Sequence, residues 1–218
     1  VFNSFESSGW TQYLAQEGFV VANINNRGNG GYGAGFEKVV HGQLGKWETR
    51  DFAEAALYLA GKPWIDRERI GIMGHSFGGF SAGTGLLKHP EVFHAGIVTA
   101  AITDHLNYDC ILTEKYMGLY GDNREGYQES SMVQHAGGLK GKLLLVHSLM
   151  DDNVHPQNTF QFVRALIDSG KAFDLKIFPP GNHGVAWDMN SQIYLYAEYL
   201  RWLKENLMQA EAEKEPAE

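Results

Sequence analysis

The chain of 218 residues holds one cysteine, Cys110, so no disulfide forms within it and its redox compartment is not legible. Cys110 lies in "LNYDCILTEKY", which reads as partly buried, and a packed apolar thiol is expected there rather than a nucleophile. Positive charge is also scarce. Eighteen Lys and Arg stand against 26 Asp and Glu, for a net charge of -8. Phosphate backbones need clustered cations, so nucleic acid is excluded as the main partner. No run of about 18 apolar residues occurs, and no membrane span is expected. The first ten residues, "VFNSFESSGW", contain neither an initiator Met nor a charged segment leading into an apolar one. The chain therefore reads as a piece of something longer, with targeting out of view. None of the nine histidines falls in an H-E-x-x-H or other metal spacing, so no metal is expected.

Glycine, in contrast, is abundant at 26 residues. "NINNRGNGGYGAGF" contains G-x-G-x-x-G at Gly28, Gly30 and Gly33. A dinucleotide site needs a helix opening inside the glycines, so that unpaired N–H groups face the phosphates. Here the glycines continue to Gly35, and no helical period begins until about Thr49. The fingerprint has its letters without its context, and a glycine loop with no cofactor is the reading.

The rest of the chain alternates short apolar runs with amphipathic stretches. Strands are expected at "FVVANI", "RIGIMG", "AGIVTA", "KLLLVHS" and "FDLKIF". Helices are expected at "GWTQYLAQEG", capped by Ser7 or Ser8, at "TRDFAEAALYLAG", from Phe77 to Lys88, at "PQNTFQFVRALIDSG" and at "SQIYLYAEYLRWLKENL". The pattern predicts one α/β domain over 1–208: a doubly wound, mostly parallel sheet with helices on both faces. Residues 209–218, acidic and free of aromatics, read as a disordered tail. Ligands of such sheets bind beyond the carboxyl ends of the strands.

At one of those ends stands Gly74-His75-Ser76-Phe77-Gly78, between a strand and a helix. This is the G-x-S-x-G nucleophile elbow, whose glycines admit a turn sharp enough to expose a serine, a Cβ at either flanking position being expected to collide with strand or helix. It leaves the Phe77 N–H at the helix start, where an oxyanion would develop. A serine hydroxyl needs a base and a group to orient that base. Asp151 and Asp152 follow "KLLLVHS", and His183 sits in "PPGNHGVAW" after "FDLKIF", which is the order Ser, acid, His of this architecture. His183 would take the Ser76 proton, and Asp151 would hold the imidazole in the right tautomer. Asp152 is the rival acid; Asp151 is preferred because it comes first after the strand. His75 reads as packing or lining the pocket on the other side of the elbow, and His147 as a buried hydrogen-bonded residue.

Taken in order, "NNRGNGGYGAGF", "LGKWETRDFAEAALYL", "GHSFGGF", "NYDCILTEKYMG", "HSLMDDNVHPQ" and "GNHG" cover nearly the whole chain. They resemble the catalytic domain of the prolyl oligopeptidase family of serine peptidases (S9), most closely its dipeptidyl peptidase IV branch. The resemblance implies an α/β-hydrolase fold, here truncated at its amino terminus, and a triad of Ser76, Asp151 and His183. It also implies that Arg27 is an ion-pair anchor, that Asn153 binds a substrate carbonyl, and that Tyr108 and Val154 wall the pocket for the residue before the cleaved bond. Its substrates would be short peptides. A β-propeller preceding this domain and a second oxyanion donor, a tyrosine, would lie before Val1, and a homodimer is compatible with it. Two positions depart from the branch: Leu112 stands where a second pocket tyrosine is usual, and His105 where a tryptophan is usual, which leaves fewer ring faces to stack on a proline. A carboxylesterase or acylaminoacyl-peptidase-like hydrolase, and a non-catalytic binding module on the same fold, remain the alternatives.

Overall fold

The computed structural model describes residues 9–208. The cap expected of Ser7 or Ser8 and the tail 209–218 lie outside the described residues. Helix α1 (Gly9–Gln16) is followed by an irregular segment, α2 (Ala34–Lys38) and α3 (Trp47–Ala60). Next come β1 (Gly71–His75), α4 (Phe77–Lys88), β2 (Ala95–Thr99), α5 (Cys110–Met117) and α6 (Arg124–Ser130). The chain then forms β3 (Lys142–Ser148), α7 (Gln157–Asp168), β4 (Asp174–Phe178) and α8 (Met189–Leu207).

The four strands form one parallel sheet in the order β1-β2-β3-β4. Every residue of β2 and all of β3 after Lys142 are buried, which is why both read as unbroken apolar runs instead of alternating ones. Their two faces feed two cores. Val98, Leu143 and Leu145 pack against Ala53 of α3, Leu86 of α4 and Phe162 of α7. Ile97, Leu144 and Val146 turn the other way, onto Leu14 of α1 and Tyr199, Trp202 and Leu203 of α8. Burying each such side chain is worth about 1.5–3 kcal/mol, so the alternation within these two strands fixes which helices lie on which face.

The register aligns the carboxyl ends. His75 sits beside Thr99, Thr99 beside Val146, and Ser148 beside Phe178. Segments leaving β1, β3 and β4 therefore emerge on one rim. Helix α8 begins two residues before "SQIYLY" because Asp188 caps it: the Ser191 N–H donates to Asp188 Oδ1 (2.8 Å) and the Asp188 N–H to Ser191 Oγ (2.9 Å). Among the described residues no helix is long and apolar enough to cross a membrane.

Three expectations are corrected. "FVVANI" forms no strand, and Val20 is 56% exposed. Apolar content marks a segment that can join a sheet, but joining needs a neighbour. Among the described residues β1 pairs only with β2, and its other edge faces a cavity of about 1330 Å³ lined by Val20, Val21, Ile72 and Met73 among others. Helix appears before Thr49, as the five-residue α2 and as a first turn of α3 starting at Trp47, where the Gly45 N–H donates to Glu48 Oε2 (3.0 Å). Cys110 is exposed, not packed: it opens α5 on the turn capped by Asp109, whose Oδ1 accepts from the Leu112 N–H (2.8 Å).

Candidate active site

The turn from β1 into α4 is sharp. Ser76 adopts φ 59, ψ −123, outside the regions an L-residue prefers. Its N–H donates to the Thr99 carbonyl of β2 (2.9 Å), and its own carbonyl accepts from the Phe80 N–H (2.9 Å), so the strained backbone is pinned from both sides. A Cβ on Gly74 would come within 2.2 Å of the Gly78 carbonyl oxygen. At Gly78 a Cβ would meet nothing within 4 Å, so the expected collision at both flanking glycines holds only for Gly74. The second tight approach falls one residue later, at Gly79, where a Cβ would lie 2.6 Å from the Thr99 oxygen. The sheet crowds that side of α4, while Gly78 looks outward. Phe77 is the first residue of α4, and its N–H has no acceptor within the helix.

His183 lies in the loop between β4 and α8. The Ser148 hydroxyl ties that loop down by donating to the Gly181 and Asn182 carbonyls. Gly181 cannot carry a side chain, since its Cβ would fall 1.8 Å from the Val185 oxygen. The His75 ring reaches across, with Nε2 2.7 Å from the His183 carbonyl and its ring centre 4.7 Å from that of His183. His75 therefore braces the His183 loop, a contact the sequence reading did not foresee.

The three residues singled out in the sequence meet on this rim. His183 Nε2 lies 2.8 Å from Ser76 Oγ, and His183 Nδ1 lies 2.8 Å from Asp151 Oδ2. Asp151 has a fully buried side chain, whereas Asp152 is exposed. The Asn153 and Val154 N–H groups donate to Asp151 Oδ1 at 3.0 and 2.9 Å. Neighbouring His147, also fully buried, places Nε2 2.8 Å from the Val154 carbonyl and 3.2 Å from Asp151 Oδ2. Burial holds its imidazole below the usual histidine range. A strand-end histidine four residues before the acid is the sequence signal for this contact, but only packing turns it inward.

Around this chain of contacts, the Tyr108 hydroxyl donates to Asn153 Oδ1 (2.9 Å). Burial first, then the charges of Asp109 and Asp151, push the Tyr108 phenol up, so it stays a donor. Val154 is buried with Phe80 and Ile102 in a third core cluster, against which Tyr108 packs. Leu112 is half-buried and borders the large cavity together with His75, Phe77 and Gly184. His105 is 1% exposed, edge-on to Phe80 at 4.7 Å, and burial lowers its pKa to about 4. Arg27 forms an ion pair with Asp51, to which its Nε donates at 2.9 Å, and stacks 4.2 Å over Trp47. Among the described residues no group of three His, Cys, Asp or Glu side chains could hold a metal ion.

Chemically, an imidazole between a hydroxyl and a buried carboxylate can accept the hydroxyl proton and return it to a leaving group. Residues 5–210 match the prolyl oligopeptidase family. The chain is 34% identical to dipeptidyl peptidase 4 of Sus scrofa over 200 residues, covering 90% of this chain and 26% of that protein. It is 34% identical to dipeptidyl peptidase 8 of Homo sapiens over 198 residues, covering 89% and 22%. The crystal structure of Porphyromonas gingivalis dipeptidyl peptidase 4 superposes with a TM-score of 0.89 at 38% identity, over 94% of this chain and 28% of that one. The chain thus spans about a quarter of the length of the relatives it matches. With the parallel sheet and the elbow already in place, a match over nearly all its residues means that this chain belongs to the prolyl oligopeptidase family.

Proposed function

We propose that this chain is the catalytic domain of a serine-type peptidase that cleaves short peptides through an acyl-enzyme. Ser76 is the nucleophile, His183 the general base and then acid, and Asp151 the group that orients and steadies the imidazolium. The Ser76 oxygen attacks the scissile carbonyl as its proton passes to His183 Nε2. The carbonyl oxygen becomes an oxyanion facing the Phe77 N–H, and the amine leaves with the proton from His183. Water then repeats the sequence on the acyl-enzyme. Asn153 holds a substrate carbonyl, and Tyr108 and Val154 wall the pocket for the residue before the cleaved bond. The reading includes a β-propeller and a second oxyanion donor elsewhere in a longer polypeptide, in keeping with relatives about four times as long.

The observation that carries this reading is the unbroken run from Asp151 through His183 to Ser76, with both links at 2.8 Å. Its test uses the intact protein, a fluorophosphonate probe, and chromogenic dipeptide and ester substrates. Labelling of Ser76 with dipeptide turnover is expected, and Ser76→Ala should lower kcat by about 10⁴ or more with the fold intact. A folded protein whose Ser76 stays unlabelled would remove the reading; ester turnover without peptide turnover would favour an esterase.

A further inference from the structure

We propose that His147 is a positioning residue for Asp151, steadying the carboxylate through a neutral N–H so that its charge is left to the His183 imidazole. The proposal rests on the triad reading above. His147 is the next-to-last residue of β3, and its side chain, like that of Asp151, is fully buried. Its Nε2 faces the Val154 carbonyl at 2.8 Å. A carbonyl cannot donate, so Nε2 carries the proton; its hydrogen bond goes to that carbonyl, and the same nitrogen stands 3.2 Å from Asp151 Oδ2. Nδ1, 2.7 Å from Thr159 Oγ1, is left to accept the hydroxyl hydrogen. One neutral tautomer satisfies every contact of the ring, and burial disfavours a second proton.

Asp151 therefore receives three hydrogen bonds, from the Asn153 and Val154 amides on Oδ1 and from His183 on Oδ2, and has the neutral His147 N–H dipole 3.2 Å from Oδ2. A cation in the place of His147 would compete with the His183 imidazolium for the carboxylate. A ring without a donor would leave Oδ2 facing His183 alone. A neutral N–H competes far less than a cation would and still keeps a donor beside Oδ2, and Thr159 fixes that ring to the buried face of α7. Among the described residues, the other titratable groups about this pair are His75 from the end of β1, whose ring stands 4.7 Å from that of His183, Tyr108 ahead of α5, and Asp152, exposed on the loop after β3.

The test compares His147→Phe, which keeps a ring and loses both nitrogens, with His147→Gln, which keeps an N–H donor. The pH profile of dipeptide hydrolysis is measured for each in the intact protein. In His147→Phe, kcat is expected to fall about 10-fold or more with KM changed by less than about twofold. The acid limb of kcat/KM should move up by about half a pH unit, because a carboxylate relieved of a competing donor stabilises the imidazolium more. His147→Gln should recover most of kcat and return the limb. A packing role predicts the opposite order, with Phe better than Gln and the limb unmoved; that result, or wild-type kcat in His147→Phe, overturns the proposal. Should His147→Phe fail to fold, Thr159→Val carries the test: removing the hydroxyl that holds the tautomer should move the profile the same way by a smaller factor, and an unchanged profile overturns the proposal. Turnover by Ser76→Ala would mean that the triad reading itself has failed. An inert Ser76→Ala beside a wild-type profile in His147→Phe would remove only the role of His147.

Discussion

Replacing Ser76 by glycine or by alanine deletes the same hydroxyl and the same 2.8 Å contact to His183, yet leaves two different backbones under the same constraint. Position 76 is held at φ 59, ψ −123 by the Thr99 carbonyl on one side and the Phe80 N–H on the other. A residue with a Cβ in such a region costs on the order of 1–3 kcal/mol, which glycine does not incur. Glycine gives back about 0.5–1 kcal/mol through its freer unfolded chain. The difference leaves Ser76→Gly more stable than Ser76→Ala by about 1 kcal/mol, or about 2–4 °C in Tm for a domain of this size. Urea unfolding of both variants in the intact protein, followed by tryptophan fluorescence, measures it. Both should be inert toward dipeptide substrates. If Ser76→Gly is no more stable than Ser76→Ala, the strain assigned to the elbow is not there, and the argument that neighbouring contacts force the serine outward loses its basis.

Two further predictions concern charge and specificity. Glu48 is 2% exposed and burial raises its pKa from 4.5 to about 7, so the folded state binds its proton more tightly than the unfolded chain. Its contribution is therefore greatest below about pH 4.5 and is lost as pH rises through about 7, a decline on the order of 3 kcal/mol. Glu48→Gln should flatten the dependence of stability on pH between 5 and 8, and equal slopes in variant and parent would refute the assignment. Leu112→Tyr should raise kcat/KM for proline over alanine before the cleaved bond by adding a ring face to the pocket, by several-fold if one stacking contact is worth about 1 kcal/mol; an unchanged ratio would remove Leu112 from the pocket.

Much of this molecule could be read along the chain because the physical causes are local. Strands β1 to β4, the start of α4 at Phe77 and the end of α3 at Gly61 follow from apolar runs and glycine stops within a few residues. The order Ser76, Asp151, His183 after three strand ends followed from the same reading. What could not be read depends on neighbours distant in sequence. "FVVANI" has the composition of a buried strand, but a cavity lies between it and the free edge of β1, so the two do not pair. Gly78 and Gly79 look alike on paper, yet only Gly79 presses on Thr99, because the sheet lies on its side of α4. Cys110 turned outward with the first turn of α5.

The sequence by itself determined the parallel sheet, the elbow and the three segments that could carry a nucleophile, a base and an acid, since periodicity, glycine placement and chain order are written residue by residue. Tertiary structure alone decided that the Asp151 side chain is fully buried, that His147 packs 3.2 Å from the carboxylate, and that His75 braces the His183 loop. The contacts of Asp151 and His75 with His183 join groups from different segments, which meet only once the register of β1 to β4 has brought the strand ends together. His147, four residues before Asp151, needed only the interior to turn it inward.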